Sequence, residues 1–93
     1  MTCSSFQYSN HAVAQMFKRS ISADDVEEVI RYGEAIKDYP NDKPYPSCLM
    51  LNTVGGRPIH VVVSQYSVAG TCYVITAYLP DPLLWSADFK NKI

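Results

Sequence analysis

The sequence has two histidines, His11 and His60, the residue type best suited to acid–base work, and they frame what chemistry it can do. His60 lies between Ile59 and Val61 in an apolar run. An imidazole there serves as a general acid or base, or it packs as a core histidine satisfied by hydrogen bonds. His11 opens a helix-forming stretch. With Gln15 and Arg19 it makes a polar stripe at steps of four residues. Arg19, with Lys18 beside it, can hold an anion; a solvated helix face explains the same residues. Tyr78 can hydrogen-bond a phosphate or stack on a base, and Thr76 alternates onto its face. Ser47 and Ser64 put hydroxyls at strand ends, without the Gly-x-Ser-x-Gly of a nucleophile elbow. The histidines sit on separate elements and the carboxylates concentrate around Asp24–Glu28, so neither a metal site nor a cofactor is expected. Gly55-Gly56 links two strands, whereas a phosphate-binding loop leads from a strand into a helix.

The elements that must position these residues follow from periodicity. Ser9 is a good N-cap for a helix from Asn10 to Arg19, with Val13, Met16 and Phe17 as its apolar face. Ser22 and Asp25 form a capping-box-like start for a second helix. Val26, Val29 and Ile30 give it a buried stripe, Glu27 and Arg31 are spaced to pair, and Gly33 is placed as its C-cap. Glu34–Tyr39 reads as a short strand and 40–46 as a loop. Ser47–Val54 and Arg57–Gln65 read as a hairpin about Gly55-Gly56, because two glycines accept the positive φ of a primed turn. After a looser link from Gln65 to Gly70, Thr71–Leu79 is a last strand.

The two-residue turn fixes the register. Val54 faces Arg57, Leu51 faces His60 and Leu49 faces Val62. His60 and Val62 then share a face with Leu49 and Leu51, while Ile59, Val61 and Val63 point the other way. One face takes the helices. The other is capped by the tail around Trp85 or meets a partner, a second copy of the chain included. The end of the chain is expected to fray from Asn91.

Size and composition bound the rest. The 93 residues suffice for one domain, 1–93. The chain is 47% hydrophobic and 18% charged, as a globular fold requires. No long apolar run suggests a membrane span, and Met1–Ser5 lacks the pattern of a secretory signal. Three widely spaced cysteines, Cys3, Cys48 and Cys72, fit reduced thiols in the cytoplasm, with Cys48 and Cys72 packed as small hydrophobes. The net charge is −1, so a nucleic-acid role requires lysine and arginine to cluster locally.

The ordered run His11-Ala12, Met16, Arg19, Ile21-Ser22, Asp25-Val26, Gly33-Glu34 and Asp38-Tyr39-Pro40 is the first half of a larger pattern. Tyr45-Pro46-Ser47, Arg57–Val62, Val74–Tyr78, Pro80-Asp81-Pro82 and Trp85 complete it. Together, over about residues 9 to 87, they resemble the bacterial domain-of-unknown-function family 4258. That family is grouped with the barnase–EndoU–colicin–RelE class of metal-independent ribonucleases and toxins. The resemblance implies an α+β fold, with two N-terminal helices packed on a four-stranded antiparallel RelE-like sheet. It implies RNA as substrate and an antitoxin protein as partner. The recurring polar positions are matched by His11, Arg19, Ser47, His60 and Tyr78. At Cys48 the family usually carries a basic residue instead.

Two functions are therefore expected. In the first, a toxin-type endoribonuclease, His60 with His11 or Tyr78 exchanges protons. Arg19, Lys18, Arg57 and Ser47 bind the phosphate. In the second, a non-catalytic module or decayed toxin binds an antitoxin partner.

Overall fold

The computed structural model describes residues 1–66 and 70–93. The elements run β1 (Ser5–Tyr8), α1 (Asn10–Arg19), α2 (Ala23–Tyr32), β2 (Glu34–Tyr39), β3 (Ser47–Val54), β4 (Arg57–Tyr66) and β5 (Thr71–Tyr78). The fold is α+β: two helices and a five-stranded mixed sheet ordered β1-β5-β4-β3-β2. Strands β2 to β5 pair antiparallel, but β1 adds to the β5 edge in parallel. The expected sheet of four antiparallel strands is corrected by this fifth one. Its pattern is short but physical: Phe6 and Tyr8 are half-buried and alternate with exposed Ser5 and Gln7.

Helix α1 is anchored at its start. The Ser9 hydroxyl accepts from the Ala12 N–H at 2.9 Å and donates to the Ile75 carbonyl at 2.8 Å, tying the N-cap to β5. Its buried stripe is Ala12 and Met16, whereas Val13 and Phe17 are 54% and 88% exposed. The expected Val13–Met16–Phe17 face is thus rotated: the small Ala12 lets the helix approach the sheet, and Phe17 falls outside the contact. Helix α2 has the full capping box between Ser22 and Asp25 and buries Val26, Val29 and Ile30 completely. Gly33 ends it, donating to the Val29 carbonyl, and a Cβ there would stand 2.7 Å from the Leu51 carbonyl oxygen. Glu27 accepts the Tyr8 hydroxyl at 2.9 Å, while the Arg31 guanidinium lies 5.3 Å over the Phe6 ring. The sequence spacing of Glu27 and Arg31 is therefore overridden by partners that β1 brings.

The hairpin forms as expected. Gly55 and Gly56 have φ of 59° and 79°, and the pairs Val54–Arg57, Leu51–His60 and Leu49–Val62 are in register. Ile59, Val61 and Val63 are fully buried in the core that also holds Met16, Val26, Ile30 and Val74. The link expected over Gln65–Gly70 begins later, since β4 continues to Tyr66, and 67–69 lie outside the described residues.

The tail covers part of the far face. Trp85 is buried, but Leu83 and Leu84 are exposed, so one residue of that apolar triplet docks. A bridge pairs Trp85 with Lys92, and the Ser86 N–H donates to the Asn91 carbonyl at 2.7 Å. This return hairpin replaces the expected fraying. Cys3 and Cys72 form a disulfide, which corrects the expectation of three reduced thiols. The parallel pairing of β1 brings them together, a neighbourhood invisible without that strand. Cys48 is free and buried; burial pushes its thiol pKa up, and the Asp38 carboxylate adds to this. Among the described residues no helix is long and apolar enough to cross a membrane.

Candidate functional site

Strand pairing alone creates the central contact. His60 on β4 stands opposite Tyr78 on β5, and both point away from the helices. The His60 ring is fully buried, yet both of its nitrogens are partnered. Nε2 lies 2.8 Å from the Phe89 carbonyl of the tail, and Nδ1 lies 3.2 Å from the Tyr78 hydroxyl. A carbonyl only accepts, so Nε2 carries the proton. In the neutral ring Nδ1 is then an acceptor, and Tyr78 donates to it. Trp85 closes the other side, edge to face with the imidazole at 4.5 Å.

Electrostatics agree with this arrangement. Burial lowers the His60 pKa below its ordinary value, opposed in part by the bond to Phe89. Burial raises the Tyr78 pKa, and Tyr39 adds to the rise. At neutral pH the pair is therefore neutral imidazole and neutral phenol. It can relay a proton from the Tyr78 oxygen to Nδ1, and only the tyrosine faces outward.

Tyr78 opens onto a cleft of about 320 Å³ between the sheet and the tail. Strand β2 supplies Ile36, Lys37 and Tyr39, and the tail supplies Trp85 and the 90–92 segment. The Lys37 ammonium sits 5.7 Å from the Tyr39 ring centre, and that of Lys92 sits 5.8 Å from Trp85. Lys90 pairs with Glu34 at 3.1 Å on the rim.

The other expected site residues are elsewhere. His11, Lys18 and Arg19 are exposed on α1, across the sheet from His60 and Tyr78. Arg57 donates to the Arg19 and Ser20 carbonyls, each at 3.0 Å, and meets Asp25 at 3.5 Å, so its guanidinium clamps the α1–α2 junction. Ser47 is buried on the His60 face and donates to Asp42 at 2.6 Å. The structure therefore joins His60 with Tyr78 and leaves the remaining five apart. No group of three or more His, Cys, Asp or Glu converges among the described residues.

Sequence reasoning missed Lys37, Tyr39, Lys90 and Lys92. Lys37 and Tyr39 alternate on one strand, a legible signal once β2 is paired with β3. Lys90 and Lys92 join them only because the tail folds back, which no local pattern announces.

A scan of protein families matches residues 8–79 to the family described as Domain of unknown function (DUF4258). That span includes the Tyr78–His60 pair and ends before the tail. No curated protein and no solved structure matches the chain.

Proposed function

The chain belongs to the DUF4258 family, and we propose that it is a toxin-type endoribonuclease that works without metal through Tyr78 and His60. The observation that carries this reading is the outward Tyr78 hydroxyl, backed by a neutral imidazole whose only free capacity is to take that hydroxyl's proton. The resemblance to the barnase–EndoU–colicin–RelE class supports the same reaction, as do two helices confined to one face of the sheet, which leave the other for substrate. RNA is the substrate on this view.

The proton path follows from the tautomer. A ribose 2′-hydroxyl donates to the Tyr78 oxygen as Tyr78 passes its own proton to Nδ1 of His60. The 2′-oxygen attacks the adjacent phosphorus and the bond to the 5′-oxygen breaks, leaving a 2′,3′-cyclic phosphate. The 5′-oxygen takes a proton from water or a cleft ammonium. The net transfer is from the ribose hydroxyl to His60, whose pKa burial lowers below its ordinary value, so the relay is uphill before any field from bound phosphate and lysine. The enzyme is accordingly slow at neutral pH. Tyr78 and His60 are the catalytic pair, with His60 reached only through Tyr78.

Purified protein should cut labelled RNA in excess EDTA. Tyr78→Phe, which keeps the ring and its packing, should lower the rate about 100-fold, the scale of one general acid–base group. Equal cleavage by Tyr78→Phe, or none by the wild type, overturns the assignment.

A second reading has its own observation. Phe17 and Val13 lie one turn apart on α1 and are both exposed, an apolar strip suited to a protein partner. On this reading the chain is a decayed toxin or interaction module that binds an antitoxin, consistent with Cys48 standing where the resemblance has a basic residue. Co-expression with the product of an adjacent small reading frame should then give a stable complex that Phe17→Glu abolishes, with no RNA cleavage.

A further inference from the structure

The net charge of −1 makes a general affinity for nucleic acid unfavourable, so the distribution of the cations decides the matter. Of the eight Lys and Arg residues, Lys37, Lys90 and Lys92 all line the cleft beside Tyr78. None of the nine acidic residues lines it; Glu34 meets Lys90 at 3.1 Å at the rim, and Asp42 lies behind Tyr39, its N–H donating to the Tyr39 carbonyl at 3.2 Å. The clustering that composition leaves open is therefore present at one place.

The walls are as informative as the charge. Tyr39, Tyr78 and Trp85 alternate with the lysines, and two ammonium groups rest over aromatic faces. Aromatic rings offer stacking to any base whose face is exposed, while lysines follow the phosphates; this combination suits a single strand and not a duplex, whose bases are already stacked. A base on the half-buried Tyr39 ring would displace the Lys37 ammonium towards a phosphate. The volume of about 320 Å³ fits one nucleotide-sized unit, not a folded partner.

We propose that the Lys37–Lys90–Lys92 cleft is a binding site for single-stranded RNA, with a base stacked on Tyr39 and the flanking phosphates held by the three lysines. The site rests on the RNA reading of Tyr78 but adds its ligand and its geometry. It also assigns a role to the tail: Lys90 and Lys92 lie beyond the family match and reach the cleft only through the Trp85–Lys92 bridge.

Fluorescence anisotropy with a labelled, fully 2′-O-methylated oligouridine, which cannot be cut through the 2′-oxygen, tests the site apart from catalysis. Wild type should bind the single strand at 50 mM salt and weaken about 15- to 20-fold at 200 mM, the dependence of three phosphate contacts on a single strand. The exposed changes Lys37→Gln, Lys90→Gln and Lys92→Gln together should remove binding and leave the circular dichroism melt in place. Tyr39→Leu should weaken binding about 5- to 150-fold. The site is overturned if the triple variant binds like the wild type, if the wild type does not bind, or if an RNA duplex binds as well as the strand. Binding with the predicted salt slope but no cleavage of ordinary RNA would remove the nuclease and keep the site. Cleavage that survives in the triple variant with unchanged binding would do the reverse.

Discussion

His60 is the residue whose standing changes most between sequence and structure. In the sequence it is a lone titratable group in an apolar strand. In the fold it has no free nitrogen, because Tyr78 and the Phe89 carbonyl take both. Its lowered pKa has a consequence for stability. The unfolded chain protonates this histidine near pH 6.5, whereas the buried ring resists until lower pH. Between the lowered value and about 6.5 the unfolded state thus binds more protons, and stability falls as the pH falls through that window. Above about 6.5 both states are neutral there and the contribution is complete. Urea unfolding at pH 7.5 and pH 5.0 should show this loss in the wild type, and His60→Gln should show less of it. His60→Gln should also be weaker by about 2 kcal/mol at pH 7.5, since Tyr78 and Phe89 lose well-placed partners. An identical pH slope in both proteins would mean that another group titrates. Neither contact was legible in the sequence: the pairing with Tyr78 depends on a bulge that shifts the β4–β5 register between Val62 and Val63, and the Phe89 contact depends on the fold of the tail. Phe89 has φ of 60°, a left-handed conformation rare for an aromatic residue, and nothing in its neighbours in the chain foretells it.

At the scale of elements, Arg57 illustrates how a plausible phosphate ligand becomes structural. It follows directly on the Gly55-Gly56 turn, and its strand position points it at the helices. There it meets the last carbonyls of α1, which have no partner within the helix. Arg57→Gln should cost about 1 kcal/mol in chemical denaturation, discounted because the side chain is 37% exposed. RNA cleavage, where it is observed, should be unchanged by it. Loss of cleavage at full stability would return Arg57 to the site. The elements with strong local signals were legible: α1 and α2 from Ser9 and Ser22 as caps, the hairpin from two glycines, β2 from its flanks. What escaped depended on distant pairing. Four residues of β1 do not alternate for long enough to stand out, and the tail hairpin at Trp85–Lys92 closes through its own hydrogen bonds about Ser86 and docks on His60 through Trp85 and the Phe89 carbonyl.

For the whole molecule, the sheet is a partition. Helices, Arg57 and the polar stripe of His11, Gln15 and Arg19 belong to one side; His60, Tyr78 and the lysine cleft belong to the other. A sequence reading that gathers polar residues cannot see that wall, and so it joined His11 and Arg19 to His60. The edge of the sheet carries the second feature that composition concealed, the Cys3–Cys72 disulfide across the β1–β5 pair. It closes a loop of sequence separation 69, so opening it frees much of the unfolded chain. The chain-entropy account values such a closure at about 4 kcal/mol. For a domain of this size that corresponds to roughly 15–25 °C in Tm. Oxidised protein should therefore lose about that much on adding dithiothreitol. Cys3→Ser should melt at the reduced temperature and be indifferent to the reductant, whereas Cys48→Ser should remain sensitive, because Cys48 has no partner. A reductant shift below about 2 °C in the wild type would show that the cross-link does not govern global unfolding. In that event β1 peels from β5 as a separate unit, leaving the antiparallel β2–β5 core and its far-face cleft intact.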